Sequence, residues 1–176
     1  RQVLGPAAFI AKVRIEGLRD LGSAPSPFNC FQTIQGLETL SVRIKQHSKN
    51  ALKVAEWLEK QSQVAWVNYP GLKSSKYYKL SQKYLKNGQS GIVTFGLKGG
   101  FDSAKKLTDS TKIFSLLANF GDSKSLIIHP SSTTHQQLNE EQQKSTGVTS
   151  DLVRWSIGLE DPDDLIEDLK NALKSL

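Results

Sequence analysis

The sequence predicts an α/β (α+β) fold: long linking helices followed by a small sheet with helices on one face. Three observations predict it. Residues 6–61 place apolar side chains at helical spacing. From Val64 onward, short β-type runs alternate with helical stretches. One run, Leu152–Gly158, alternates strictly, with Val153, Trp155 and Ile157 on one side and Leu152, Arg154 and Ser156 on the other.

The elements follow in order. Phe9, Ile10, Val13 and Leu18 predict a helix over Pro6–Leu21, stopped by Gly22. Ser23-Ala-Pro-Ser-Pro27 breaks it, because each proline fixes its own backbone and extends the residue before it. Ile34, Leu37, Leu40 and Ile44 predict a second helix over Phe28–Gln46, and Ala51, Val54, Ala55 and Leu58 a third over Ser48–Gln61. Val64–Tyr69 reads as a strand ended by Pro70-Gly71, and Lys76–Leu85 as a basic helix. Gly91–Gly96 reads as a strand, and Gly96, Gly99 and Gly100 as strand ends and turns. A helix over Asp102–Thr108 precedes two apolar runs, Ile113–Leu117 and Ser125–His129, both read as strands. Thr134–Ser145 reads as a polar helix with a Thr134/Gln137 capping box. The last helix has Asp161 as cap, Pro162 in its first turn and a stripe of Leu165, Leu169, Leu173 and Leu176.

Composition narrows the class. The 176 residues allow one domain, or one domain with an appended segment. A hydrophobic fraction of 38% is low for a self-contained globule and suits a piece that buries more surface against a partner. The chain starts at Arg1 and contains no methionine, which suggests a processed product or part of something longer. One cysteine, Cys30, cannot form an intrachain disulfide, so a reducing compartment is the economical reading. No apolar run approaches the ~20 residues that span a bilayer. The net charge of +6 raises the question of nucleic acid. The densest basic run, Lys73–Lys86, interleaves with Tyr77, Tyr78 and Tyr84, which could stack on a nucleic acid, but the favoured reading is a solvated amphipathic helix whose tyrosines pack inward.

Among residues able to do chemistry, Arg154 stands out. An arginine inside an apolar strand must be paired if its face is covered, because an unpaired buried charge is costly. Its fork fits a carboxylate, on a ligand or on an internal Asp or Glu. The hydroxyl-rich stretch Ile127–His135 follows a strand end, where such groups either line a pocket or cap a helix. His129, His135 and Cys30 lack metal-ligand spacing, and no nucleophile elbow, Walker loop or dinucleotide fingerprint occurs.

Several phrases carry a resemblance. They are Lys12–Gly22, Ser26-Pro-Phe-Asn29, Gln35-Gly-Leu-Glu-Thr-Leu40, Val67-Asn-Tyr-Pro-Gly-Leu72, Ser115–Leu126, His129-Pro-Ser-Ser-Thr-Thr-His-Gln-Gln-Leu138 and Val153–Asp161. In this order, and over nearly the whole chain, they resemble the Cys/Met-metabolism (trans-sulfuration) family of pyridoxal-phosphate enzymes. The Leu-Ala-Asn-Phe-Gly-Asp and Ser-Thr-Thr-His-Gln-Gln forms are most similar to its O-acetylhomoserine sulfhydrylase branch.

The resemblance implies the C-terminal part of a fold-type I enzyme. Residues 1–46 would be the end of the large cofactor domain with its connecting helices, and 47–176 the C-terminal substrate-binding domain. Arg154 occupies the position of the arginine that grips the substrate α-carboxylate. Asn119 lies near the same carboxylate, where the family often has serine, and Thr134 lines the same end of the pocket. No catalytic residue is implied here, because the Schiff-base lysine of the Ser-x-Thr-Lys motif is missing. The implied cofactor is pyridoxal 5′-phosphate, held mainly by an upstream domain. The implied substrates are a small amino acid and sulfide, in a cytoplasmic homotetramer, with no metal, nucleic acid or membrane. The chain alone would be inactive. Cystathionine γ-synthase, γ-lyase and methionine γ-lyase are alternatives within the family, and a non-catalytic interaction domain is the alternative outside it.

Overall fold

A computed structural model describes residues 3–176, which divide into two compact units at Leu40/Ser41. The first is helical. α1 (Ala7–Lys12) runs directly into a π-helical stretch, Val13–Asp20, whose wider turns end in bonds such as Leu21 N–H to Glu16 O at 3.0 Å. Gly22 then takes a positive φ of 68°, which ends the helix as its sequence predicts. α2 (Pro27–Glu38) starts with Ser26 as cap, its Oγ accepting from Asn29 N–H at 3.2 Å, and Pro27 in the first turn. None of the residues in these helical segments is buried. Phe28, Phe31, Ile34 and Leu37 of α2 are all exposed.

The second helix ends earlier than its periodicity suggests, at Thr39, whose backbone leaves the helical region. α3 then runs unbroken from Leu40 to Leu58, through the His47-Ser48 pair where a boundary was expected. The polar pair looks like an interruption but is buried. His47 Nδ1 donates to Ile157 O at 2.7 Å, and Asn50 Nδ2 donates to Gly158 O and Glu160 O. The inward stripe is therefore polar at its start and apolar from Ala51 through Val54, Ala55 and Leu58.

The second unit is a five-stranded sheet of order β1-β2-β5-β4-β3. Its strands are β1 (Val64–Asn68), β2 (Ile92–Leu97), β3 (Ser115–Leu116), β4 (Leu126–Ile128) and β5 (Leu152–Ser156). β3 and β4 are parallel, and every other pairing is antiparallel. Between strands lie α4 (Tyr78–Tyr84), α5 (Gly100–Ser110) and α6 (Glu140–Ser145), and α7 (Pro162–Lys174) closes the chain. One face of the sheet, carrying Val93, Phe95, Val153, Trp155 and Ile127, shares a single core with stripes from α3, α5 and α7. The alternation of β5 is as the sequence predicts: Val153, Trp155 and Ile157 are fully buried.

α7 is capped by Asp161, whose Oδ1 accepts from Asp163 N–H at 2.8 Å. Leu165, Leu169 and Leu173 are buried, but Leu176 lies beyond the helix end and is 39% exposed, and Ala172 fills the stripe instead. Gly96 is not a strand end. It sits inside β2, where an added Cβ would come 2.1 Å from Trp66 Nε1, so glycine leaves room for the indole to reach Asp151 Oδ2 at 2.9 Å. Of the three tyrosines at α4, Tyr78 is half-buried and the other two do not pack inward. Tyr77 and Tyr84 are 47% and 69% exposed, each beneath a lysine ammonium. The buried residue is Ser81, whose hydroxyl bonds Pro70 O and Tyr78 O, and this turns the rings outward. No described helix is long and apolar enough to cross a membrane.

Candidate functional site

Arg154 projects from the middle of β5 on the face opposite the helices. In register it sits between Thr94 of β2 and Ile128 of β4. Asn68 of β1 extends the row, its amide donating to Thr94 Oγ1 at 3.3 Å. The side chains at the apolar end of this face are well covered, since Leu126, Ile128 and Ser156 are all buried. Arg154 itself is half-buried, and its guanidinium makes no hydrogen bond and no ion pair among the described residues. Of the two partners its sequence left open, an internal carboxylate is not the one found. A partly desolvated guanidinium with five unused donors has the geometry to take a planar anion.

Asn119 and Thr134 lie on the segments that enter and leave β4. Asn119 is exposed between β3 and β4, its backbone N–H bonded to Leu117 O at 3.2 Å. The segment turns at Gly121, where φ is +72°. It is fixed at its far end by Glu160, which accepts from Ser125 N–H at 2.7 Å and Ser125 Oγ at 2.8 Å. Thr134 is also exposed, with Oγ1 2.8 Å from His135 Nδ1. Both segments flank the strand beside Arg154. No hydrogen bond joins any two of the three residues among those described.

The expected Thr134–Ser145 helix is not what forms. His129 is followed by a single 3₁₀ turn, Pro130–Ser132, and then by turns, and α6 begins only at Glu140. The capping box is Asn139 with Gln142, not Thr134 with Gln137. The reason is a competing set of bonds that holds residues 130–138 as a loop. Thr133 Oγ1 donates to His129 O at 2.8 Å, and His135 N–H to Pro130 O at 2.9 Å. Buried Gln143 reaches across from α6: its Oε1 accepts from Ser131 Oγ, and its Nε2 donates to His135 O and Leu138 O. Sequence reasoning missed Gln143, because nothing local marks a glutamine on a polar helix as buried. Gln143→Leu is expected to cost about 2–3 kcal/mol, since it strands a buried hydroxyl and two carbonyls. Amide exchange over residues 131–138 should rise in step with the loss in urea unfolding.

His129 secures the other side of the loop. Nε2–H donates to Ser150 O at 2.8 Å, leaving Nδ1 to accept from Ser132 Oγ at 2.8 Å, and the ring meets Phe101 edge-on. Burial is the main cause that holds its pKa below the usual 6.5, opposed by the Ser150 carbonyl. The unfolded chain therefore binds the proton more readily. Stability from this group is full above the ordinary histidine pKa and is lost as pH falls through the lowered one. The urea midpoint is expected to drop below about pH 6.5, and to drop less in His129→Asn.

Among the described residues, no group of three or more His, Cys, Asp or Glu converges on a common point. Every described lysine is exposed. An imine-forming amine works from a desolvated, charged-neighbour setting, so these lysines do not fit the anchoring of an aldehyde cofactor. What the described residues offer is the half-buried guanidinium of Arg154 and the two loops beside β4.

The comparisons with known proteins show the family. The family model described as "Cys/Met metabolism PLP-dependent enzyme" matches residues 6–174. An O-acetyl-L-homoserine sulfhydrylase from Leptospira meyeri is 56% identical over 170 residues, covering 96% of this chain and 38% of that protein. O-acetyl-L-homoserine sulfhydrylase 1 from Thermus thermophilus is 48% identical, with 98% and 41% covered. A crystal structure from Campylobacter jejuni, described as an O-acetylhomoserine (thiol)-lyase with N′-pyridoxyl-lysine-5′-monophosphate, superposes with a TM-score of 0.87 at 49% identity, over 97% of this chain and 41% of that one. The chain thus spans about two-fifths of the length of these relatives, and it belongs to the Cys/Met-metabolism family of pyridoxal-phosphate-dependent enzymes.

Proposed function

We propose that the polypeptide containing this chain is an O-acetylhomoserine sulfhydrylase, which converts O-acetylhomoserine and sulfide to homocysteine and acetate. We further propose that this chain supplies the grip on the substrate's α-carboxylate. The observation that carries the reading is Arg154: a half-buried guanidinium on a core strand, with no acid paired to it among the described residues. A bidentate carboxylate satisfies it and fixes the orientation of the α-carbon. Asn119 offers an amide and Thr134 a hydroxyl from the two adjacent loops, each able to donate to the same anion. When bound, pyridoxal phosphate supplies an electron sink for chemistry at the α-carbon. The lysine that holds it belongs to a part of the enzyme outside this chain.

The domain assignment follows the same reading. Residues 1–46 close the cofactor domain and connect it to a substrate-binding domain over 47–176. The exposed apolar side chains of α2 support this, since they await cover by further protein. We place the enzyme in the cytoplasm as a homotetramer. The test is to incubate the full-length enzyme with O-acetylhomoserine and either sulfide or cysteine, and to identify products by mass. Homocysteine from sulfide is expected, and no turnover from residues 1–176 alone. Cystathionine from cysteine as the main product would instead make it a γ-synthase.

A further inference from the structure

The strand that presents Arg154 also holds the loop that carries Asn119. β5 ends at Ser156, and Gly158, Leu159 and Glu160 follow closely. Gly158 N–H donates to Ser125 Oγ at 2.8 Å, and Leu159 N–H to Ser123 O at 2.8 Å. Glu160 then turns back, and its two carboxylate oxygens accept separately, one from Ser125 N–H and one from the Ser125 hydroxyl. Among the described residues, the loop's bonds to distant parts of the chain all end on these three residues, save Ser115 N–H to Ser125 O beside the β3–β4 pairing. The approach is close enough to require glycine at 158, where an added Cβ would run into Ser123 O, the Lys124 backbone and the Glu160 carboxylate. From the other side Asn50 of α3, fully buried, donates to Gly158 O and Glu160 O, so the clamp is seated on the core. Ser125 is fully buried, and Glu160 makes no ion pair among the described residues, which leaves both of its oxygens to Ser125 in charge-assisted bonds.

We propose that Glu160 is a positioning residue of the reaction: through Ser125 it sets where Asn119 stands relative to Arg154, so that amide and guanidinium meet one carboxylate. The proposal rests on the carboxylate-binding role given above to Arg154 and Asn119. Arg154 is placed by the sheet itself, between β2 and β4. Asn119 lies on an exposed turn and has its backbone N–H bonded only to nearby Leu117 O, so its place follows from where the loop is clamped. A shift of about 1 Å in a substrate-orienting group is enough to cost much of its contribution. Thr134 is outside this control, because its loop is held by His129 and Gln143.

The test is a cycle of substitutions in the full-length enzyme, read as kcat/KM for O-acetylhomoserine at fixed sulfide. Asn119→Ala is expected to lower it about tenfold or more, the worth of one hydrogen bond to a charged group. Glu160→Ala should lower it by a similar factor, mainly through KM. The two together should fall no further than the worse single variant, because one acts through the other, whereas Glu160→Ala and Thr134→Ala should multiply. Glu160→Gln can keep both contacts, Oε1 accepting from Ser125 N–H and Nε2 donating to Ser125 Oγ, and should restore most of the activity. If the alanine variant does not fold, Glu160→Asp, which keeps the charge but falls one methylene short of Ser125, takes its place in the cycle with the same non-additivity expected. A glutamate with a structural role alone would lower stability and leave kcat/KM of the folded enzyme unchanged. That result, or factors for Glu160 and Asn119 that multiply, would overturn the proposal and leave the carboxylate reading standing. An unchanged kcat/KM in Asn119→Ala would instead remove Asn119 from that reading, and this proposal with it.

Discussion

Replacing Arg154 by alanine is expected to lower kcat/KM of the full-length enzyme for O-acetylhomoserine by about 10²–10³-fold, or roughly 3–4 kcal/mol. The size follows from the setting. The guanidinium is half-buried on a rigid strand between Thr94 and Ile128, so the ion pair it forms is better protected from solvent than a surface pair. Removing it leaves the substrate carboxylate against Thr94 and the apolar Ile128 with no cation. Most of the loss should fall on KM, because the carboxylate is gripped equally before and during the reaction. A further fall in kcat would report the lost orientation of the α-carbon. Arg154→Lys should recover only part, since an ammonium cannot make the two parallel bonds of the fork. Steady-state rates at several substrate concentrations separate the two effects.

The second large effect is on stability. Trp155 is fully buried, with Phe95 at 4.3 Å and Phe114 at 5.2 Å between ring centroids. It stands at the centre of the sheet face that packs on α3, α5 and α7. Trp155→Ala is expected to cost about 3–5 kcal/mol through lost burial and the cavity left behind. Trp155→Phe should cost much less. The indole Nε1 is buried without a partner, so phenylalanine removes an unsatisfied donor while keeping most of the ring. Denaturant midpoints of the three proteins should therefore rank tryptophan, then phenylalanine close behind, then alanine far below.

The parts of this fold that were legible share one property: their signals are local. The alternation of β5 and the Asp161-Pro162 start of α7 each sit within a few residues, and each appears as read. The errors came where a distant partner decides the outcome. The reading puts a helix boundary at His47, yet His47 lies inside α3 with its Nδ1–H donating to Ile157 O, far along the chain. Thr134 with Gln137 matched a capping pattern, yet bonds from His129 and Gln143 hold that stretch as a loop, and the cap moves to Asn139. The amphipathic-helix reading of the basic run puts Tyr77 and Tyr84 inward, but Ser81 takes the buried side instead.

The site divides in the same way. Arg154 was visible as a charge out of place in an apolar strand. Its lack of an internal partner was not visible, because pairing is settled by the neighbouring strands β2 and β4. Asn119 and Thr134 came forward only through resemblance to a family. Composition alone would have passed over both. The buried Gln143 left no mark in the sequence, since it is defined by groups that the fold brings to it.

The central claim is that Arg154 binds the α-carboxylate of the substrate. The most direct measurement is a cycle of two ligands and two enzymes: O-acetylhomoserine and its α-carboxamide, each with the full-length enzyme and with Arg154→Ala. The unaltered enzyme should prefer the carboxylate in kcat/KM by about 10²-fold or more, and the variant should show little preference, so that the two changes are strongly non-additive. A preference for the carboxylate that is the same with and without Arg154 would contradict the account.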